Sequence, residues 1–176
     1  AKLVNGYKVE KEVGRGSYGV VYSVLHVGTG QRYAMKVINK VGKGRRQEQM
    51  RLSLRREVAA LECIRHPNIV TLWEVIDDPR STKVYLIQEY MDKGPVLPDD
   101  EVDVVPLPEA VVLTKFTQAA RGLLYLHMNG MCHGDIKPSN LLEGSDGQVK
   151  IADFGACVVL RNAGPGGATG NEGSSG

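Results

Sequence analysis

Four side chains that could act on phosphate groups fall in one stretch of the sequence, HGDIKPSNLLEGSDGQVKIADFG. They are Asp135, Lys137, Asn140 and Asp153. Carboxylate and amide oxygens, together with phosphate oxygens, are ligands that suit Mg²⁺. A carboxylate can orient an attacking hydroxyl, and an ammonium can neutralise charge on a phosphoryl group during its transfer. These residue types therefore indicate a magnesium site for phosphoryl transfer.

A short β-hairpin is the element expected to position two of these residues. Two apolar runs flank the residues Gly-Ser-Asp-Gly at 144–147, which form a turn signal. The base of this hairpin would hold Asn140 on one side and Asp153 on the other. Asp135 and Lys137 precede the hairpin by only a few residues, so all four side chains are expected near its base.

A glycine-rich segment near the start of the chain is a second candidate for phosphate contact. Gly14, Gly16 and Gly19 form a G-x-G-x-x-G pattern, which dinucleotide-binding domains also carry. In those domains the glycines open a helix, whereas here the β-branched run from Val20 to Leu25 predicts a strand. The pattern therefore favours a loop between two antiparallel strands. Glycine lets backbone N–H groups approach phosphates closely.

A lysine on the third predicted strand needs a charged partner. Ala34 and Lys36 share one face of that strand by its two-residue period. A lysine on an apolar face is costly unless it is paired. The helical apolar repeat from Leu54 to Ile64 brings Glu57 beside its buried stripe, so Glu57 is the candidate partner. The alternatives are a solvent-exposed lysine on an edge strand and a glutamate paired with its neighbouring arginines.

Composition gives no sign of a nucleic-acid or membrane partner. The net charge is +2, and 42% of residues are hydrophobic and 24% charged, which is ordinary for a soluble globular protein. No apolar run approaches the roughly 20 residues of a spanning helix, and no signal peptide opens the chain. The three cysteines are widely spaced and predict reduced thiols. We therefore expect a cytoplasmic protein, with the nucleus as an alternative.

The motifs taken in order resemble those of a known family. HGDIKPSN followed by DFG resembles the catalytic loop and metal-binding motif of eukaryotic protein kinases, H-R-D-L-x-x-x-N and D-F-G. The glycine segment and the lysine strand resemble the other parts of the same set. One departure is Gly134, which stands at the arginine position. That arginine pairs with an activation-loop phosphate in the family, so the resemblance implies no activation through this contact.

The resemblance implies an α+β, protein-kinase-like fold. It would comprise a five-stranded antiparallel N-lobe with one long helix and an incomplete, mainly helical C-lobe truncated after DFG. The expected divisions are 1–91 for the N-lobe and hinge, 92–160 for the partial C-lobe, and 161–176 for a disordered, glycine-rich tail. The polar segment 39–49 is expected to be a solvated loop. A helix is expected from Pro108 to Asn129, with part of its apolar surface exposed.

The resemblance also implies a set of site residues, with ATP and Mg²⁺ as cofactors. The implied catalytic residues are Asp135, Lys137, Lys36 and Glu57, and the implied metal ligands are Asn140 and Asp153. The implied nucleotide-binding residues are Val13, Gly14, Arg15, Gly16, Ser17, Tyr18, Gly19, Val20, Val21, Ala34, Lys36, Glu89, Met91 and Leu142. Gln88 would lie at the back of the adenine pocket. Four residues would stack as an internal spine that joins the lobes, namely Leu61, Leu72, His133 and Phe154.

The implied function is transfer of the ATP γ-phosphate to serine or threonine hydroxyls of a protein substrate. The residues of D-I-K-P-S-N resemble the serine/threonine branch of the family. The run Lys-Gly-Pro-Val at 93–96 resembles calcium/calmodulin-dependent protein kinase kinases, in which calmodulin would be a partner only of a full-length relative. One alternative is an ATP-binding but inactive scaffold or regulator. Another is an interaction module that keeps only the fold.

Overall fold

A computed structural model describes residues 2–16, 19–40, 44–97 and 106–160. Ser17, Tyr18 and the predicted tail at 161–176 lie outside the described residues. The strands are β1 (Leu3–Val4), β2 (Tyr7–Gly16), β3 (Gly19–His26), β4 (Arg32–Asn39), β5 (Leu72–Ile76), β6 (Lys83–Glu89), β7 (Gly94–Pro95), β8 (Met131–Cys132), β9 (Leu141–Glu143), β10 (Val149–Ile151) and β11 (Val158–Val159). The helices are α1 (Arg45–Cys63) and α2 (Glu109–Met128), and short 3-10 turns cover Pro138–Asn140 and Phe154–Ala156.

The first sheet contains the five predicted strands in antiparallel order, with the two-residue β1 added at its edge. Its strand order is β1-β2-β3-β4-β6-β5. The glycine segment joins β2 to β3, and Gly16 is the register partner of Gly19. The predicted glycine loop between two antiparallel strands is therefore confirmed, as is the α+β kinase-like fold.

Helix α1 begins earlier than the sequence predicted. The segment 39–49 was expected to be a loop, but the helix already starts at Arg45. Arginine, glutamine and glutamate are good helix formers, so a run of them can extend a helix into solvent. The Gln47 side chain donates to the Lys40 carbonyl at 2.6 Å and ties this first turn to the end of β4.

Helix α2 packs closely at one point and is exposed elsewhere. Gly122 and Leu126 are buried, and a Cβ at position 122 would stand 2.7 Å from the Asn68 carbonyl oxygen. Only glycine permits this approach. Phe116, on the same helix, is 68% exposed. The prediction of an exposed apolar surface on this helix is thus confirmed.

Two small sheets, formed mostly by strands that follow α2, position the predicted site residues. The predicted hairpin is present as β9 and β10, with β7 as a third strand. Strand β8, which precedes this hairpin in the sequence, pairs with β11, which follows it. One core cluster contains Leu61, Leu72 and Phe154, so it links α1 and the first sheet to the DFG turn. The rings of His133 and Phe154 contact each other edge to face, with their centroids 4.8 Å apart.

Candidate active site

Lys36 of β4 contacts two carboxylates in the interior. Its Nζ lies 2.6 Å from Glu57 Oε2 on α1 and 2.9 Å from Asp153 Oδ1. The Lys36 side chain is 11% exposed and that of Glu57 is 1% exposed. The structure therefore joins Lys36 to its predicted partner. It also brings in Asp153, a contact that the sequence did not predict.

The charges in this cluster stabilise one another. Burial disfavours the Lys36 ammonium, but Glu57 and Asp153 outweigh that effect and raise its pKa above the usual value. Burial likewise disfavours the Asp153 carboxylate, but Lys36 and the Gly155 N–H outweigh it and lower the pKa of Asp153. Lys36 and Asp153 are therefore both expected to be charged at neutral pH.

A third polar side chain reaches Glu57 from the sheet. Gln88 is buried on β6, and its Nε2 donates to Glu57 Oε1 at 3.2 Å. Sequence patterns did not predict this hydrogen bond, because a glutamine in an apolar strand gives no local sign of its partner.

The segment from 133 to 140 holds Asp135 next to Asn140. Asn140 Nδ2 donates to the backbone carbonyl of Asp135 at 2.8 Å and to Asp135 Oδ2 at 3.0 Å. Lys137 Nζ lies 3.8 Å from the same carboxylate oxygen. Asp135 and Lys137 keep 46% and 43% of their side-chain surface exposed, so both are accessible to a substrate.

Asn140 and Asp153 lie on the two sides of the open end of the hairpin. The Ala152 N–H donates to the Asn140 backbone carbonyl at 2.9 Å, which places the next residue, Asp153, beside that end. Asp153 has a left-handed backbone with φ of 62°, which is uncommon for a residue other than glycine and is frequent at functional sites. The predicted proximity of these two residues to the base of the hairpin is thus confirmed.

The DFG turn packs directly against α1. Phe154 is fully buried, and Gly155 is buried next to Ser53 of α1. A Cβ at position 155 would overlap the Ser53 hydroxyl, so a larger residue there would displace that hydroxyl. The turn and the helix that carries Glu57 are therefore in close contact.

His133 is held as a neutral ring by two hydrogen bonds. Its Nε2 lies 3.0 Å from the Ala152 carbonyl, to which it must donate, and its Nδ1 accepts from the Asp135 N–H at 3.3 Å. Protonation of Nδ1 would break the second bond. Burial lowers the pKa of His133 below its usual value.

The free energy of unfolding is expected to fall as the pH drops below about 6.5, because the unfolded chain takes up a proton on this histidine before the folded protein does. For one proton the slope reaches at most about 1.4 kcal/mol per pH unit. Urea unfolding at pH 7.5 and 5.5 should show a smaller difference in His133→Asn than in the wild type. His66, whose pKa is also lowered by burial, contributes equally to both proteins. Equal pH dependence in the two proteins would contradict the prediction.

The predicted nucleotide-binding residues lie on β2, β3 and β4 and near the end of β6. Gly14 pairs with Val21, and Arg15 with Val20, across the β2–β3 ladder. Val13 and Arg15 are exposed, and the Arg15 side chain pairs with Glu12 at 2.9 Å. Val21 is in turn the register partner of Lys36 on β4.

The remaining predicted residues flank the connection after β6. Ala34 is the register partner of Gln88, and Gln88 is the residue immediately before Glu89. Met91 is buried, and Leu142 of β9 packs against the core cluster that contains Met91. The Glu89 N–H donates to the Thr71 carbonyl at 2.8 Å, and the Met91 carbonyl accepts from Gly94 at 3.1 Å.

An antiparallel sheet whose lysine reaches both a helix glutamate and the aspartate of a DFG turn is the arrangement of protein kinases. The family model for the protein kinase domain matches residues 7–175. The chain therefore belongs to the protein kinase family, whose members generally use ATP and Mg²⁺ and phosphorylate proteins.

Several curated proteins are similar to this chain. It is 43% identical over 169 residues to the serine/threonine-protein kinase ssp1 of Schizosaccharomyces pombe, covering 93% of this chain and 26% of that protein. It is 37% identical over 174 residues to a calcium/calmodulin-dependent protein kinase kinase of Caenorhabditis elegans, covering 86% and 31%. It is 37% identical over 165 residues to the serine/threonine-protein kinase GRIK1 of Arabidopsis thaliana, covering 92% and 41%. The chain thus spans less than half the length of these relatives.

The described part of the chain has neither a membrane-spanning helix nor a cluster of side chains typical of a metal site. None of its helices has the length and apolar character needed to cross a membrane. Within the same residues, no group of three or more histidines, cysteines, aspartates and glutamates could bind a metal ion. A magnesium site with two protein ligands and phosphate oxygens is of a different kind.

Proposed function

We propose that this chain supplies the ATP-binding and catalytic-loop parts of a protein serine/threonine kinase. The observation that carries the proposal is the buried contact of Lys36 with both Glu57 and Asp153. Burying an ammonium between two carboxylates costs desolvation free energy, and such buried charged groups are frequent at functional sites. A phosphate-binding role for Lys36 would explain why this cluster is present. Residues 1–91 would form the lobe that covers the nucleotide, and residues 92–160 would carry the catalytic loop.

The nucleotide is proposed to lie between the glycine segment and the hairpin. Backbone groups of Gly14, Gly16 and Gly19 would face its phosphates, and Lys36 would contact the α- and β-phosphates. Val21, Ala34 and Leu142 would line the base. Since the Glu89 N–H and the Met91 carbonyl already have partners, the opposite groups, the Glu89 carbonyl and the Met91 N–H, are proposed for the edge of the base.

The residues at the hairpin base fit a magnesium ion. The Asn140 amide nitrogen donates to Asp135, so the amide oxygen is the atom that can serve as a ligand. The lowered pKa of Asp153 keeps its carboxylate ionised, as a metal ligand requires. When bound, the ion would neutralise charge on the nucleotide phosphates.

The catalytic loop supplies the groups for transfer. The Asp135 carboxylate would accept a hydrogen bond from a substrate hydroxyl and orient its oxygen for attack. The Lys137 ammonium would stabilise charge on the γ-phosphoryl group. The bond from Asn140 fixes the Asp135 carboxylate, so that its direction does not depend on substrate.

The substrate is proposed to be a serine or threonine hydroxyl of a protein. The D-I-K-P-S-N motif and the printed names of the relatives support this class. One relative is named for calcium and calmodulin, so calmodulin is proposed as a partner only of a full-length relative. The proposed location is the cytoplasm.

A second candidate function is ATP binding without transfer, in a regulatory or scaffolding protein. Gly134 favours it, because this residue cannot make the phosphate contact of the family arginine. Gly134 has φ of 83°, and a Cβ there would stand 2.6 Å from the Ala156 carbonyl oxygen. Peptide phosphorylation separates the two candidates.

Mg-ATP at 100 times its Kd is expected to raise the free energy of unfolding by about 2.7 kcal/mol. Asp153→Asn should lose most of this stabilisation, because an amide carries no negative charge for the metal or for an ion pair with Lys36. The measurement is chemical denaturation with and without Mg-ATP. Asp77→Asn is the matched control, since Asp77 also pairs with a lysine, Lys40 at 2.6 Å, outside the proposed site. No stabilisation of the wild type, or equal stabilisation of Asp153→Asn, would count against nucleotide binding.

A further inference from the structure

Gln88 lies on the same face of the sheet as Lys36. Its register partners are Ala34 on β4 and Leu72 on β5. Residues directly opposite each other in an antiparallel pair point to one face, and so do residues two apart in a strand. Gln88 therefore points toward α1 together with Lys36.

The two sheet residues bind different oxygens of one carboxylate. Lys36 Nζ donates to Glu57 Oε2 at 2.6 Å, and Gln88 Nε2 donates to Glu57 Oε1 at 3.2 Å. A carboxylate only accepts hydrogen bonds, so the amide nitrogen of Gln88, not its oxygen, must face Glu57. Both oxygens of this fully buried group are thus held from the sheet.

The second bond restricts a motion that one bond would allow. The terminal torsion of a glutamate side chain is broad, so a carboxylate held through one oxygen can rotate. Rotation of Glu57 would move the oxygen that fixes Lys36, which is also attracted by Asp153. The Gln88 amide prevents this rotation, and a buried amide without such a bond would be costly.

We propose that Gln88 is a positioning residue of the phosphate site, which orients the Glu57 carboxylate and through it the Lys36 ammonium. The inference rests on the proposed ATP binding. It predicts that Gln88 affects the affinity for phosphates more than the affinity for the base, although Gln88 lies next to the proposed base pocket.

The first test compares Gln88→Met with the wild type. Methionine has a similar length and no hydrogen-bond donor. The Kd for Mg-ATP, measured by calorimetry, is expected to rise about tenfold, because a bond to a charged buried group is lost. The Kd for adenosine, measured by NMR titration, is expected to stay within about twofold, because adenosine has no phosphate for Lys36.

The matched control is Gln118→Met, which makes the same change in a glutamine of α2. Gln118 Oε1 accepts from the Val149 N–H at 2.8 Å, so this variant also loses a structural hydrogen bond. It should lose stability and keep the wild-type Kd for Mg-ATP. A rise in Kd equal to that of Gln88→Met would assign the effect to general destabilisation and overturn the inference.

The second test uses pH as a readout that a purely structural role would not move. In Gln88→Glu, two carboxylates face each other while Lys36 and Asp153 remain nearby, so one carboxylate of the pair has a raised pKa. Protonation at low pH restores a donor toward Glu57. The ratio of variant to wild-type Kd for Mg-ATP should therefore fall toward 1 between pH 8 and 5.5, whereas the Gln88→Met ratio should stay constant.

The outcomes separate this inference from the proposed function. Failure of the wild type to bind Mg-ATP would overturn the proposed function and this inference with it. Binding by the wild type with an unchanged Kd in Gln88→Met, or an equal loss of adenosine binding, would overturn the role of Gln88 alone. A Gln88→Glu ratio independent of pH would do the same.

Discussion

Asp135→Asn is expected to lower the rate of phosphate transfer to a peptide by about 10²- to 10⁴-fold, the usual contribution of a positioned acid–base group. The Asp135 carboxylate is accessible and held by Asn140 at 3.0 Å. An asparagine of the same shape cannot accept the proton of a hydroxyl as a carboxylate does. The measurement is initial-rate incorporation of labelled phosphate into a peptide that contains serine and threonine.

The Kd for Mg-ATP separates loss of transfer from loss of binding. It should change little in Asp135→Asn, because Lys36 and Asp153 are unchanged. Asp78→Asn, in the turn between β5 and β6, is the control and should transfer phosphate at the wild-type rate. Transfer by Asp135→Asn at the wild-type rate would show that Asp135 is not the base. Binding without transfer by the wild type would favour the regulatory candidate.

Phe154→Ala is expected to lower the free energy of unfolding by about 3–5 kcal/mol, the usual cost of truncating a buried phenylalanine. Phe154 is 0% exposed, contacts the His133 ring and belongs to the core cluster that contains Leu61 and Leu72. Its removal leaves a cavity where α1, the first sheet and the catalytic loop meet. Urea unfolding gives the difference directly.

The other phenylalanine of the chain provides a matched comparison. Phe116 is 68% exposed on α2, so Phe116→Ala should change the free energy of unfolding by no more than about 0.5 kcal/mol. Similar losses in the two variants would contradict the role assigned to Phe154. An affinity for Mg-ATP that fell in Phe154→Ala and not in Phe116→Ala would also link this core residue to the site.

Local patterns predicted the parts of the site that depend on neighbours in sequence. The hairpin was predictable because a glycine turn separates two apolar runs. The pairing of Lys36 with Glu57 was predictable because a buried ammonium needs a carboxylate and the next helix offers one beside its apolar stripe. The predicted loop over 39–49 was wrong at its end, where α1 begins, because charged residues suit both a loop and an exposed helical turn.

Contacts between distant segments could not be read from these patterns. Lys36 and Asp153 are separated by 117 positions, and nothing near either residue specifies the other. The bond from Gln88 to Glu57 depends on how α1 lies across the sheet. The same holds for the contact between Ser53 and Gly155, which depends on the approach of the DFG turn to that helix.

The absence of a side chain at position 155 leaves room for the Ser53 hydroxyl between the DFG turn and α1. Ser53 and Glu57 are four residues apart, so they project from the same side of the helix, one turn from each other. The contact of the DFG turn with Ser53 therefore lies one helical turn from the glutamate that pairs with Lys36. Adding a single methyl group at 155 would displace the Ser53 hydroxyl, one turn from the glutamate of the 2.6 Å ion pair.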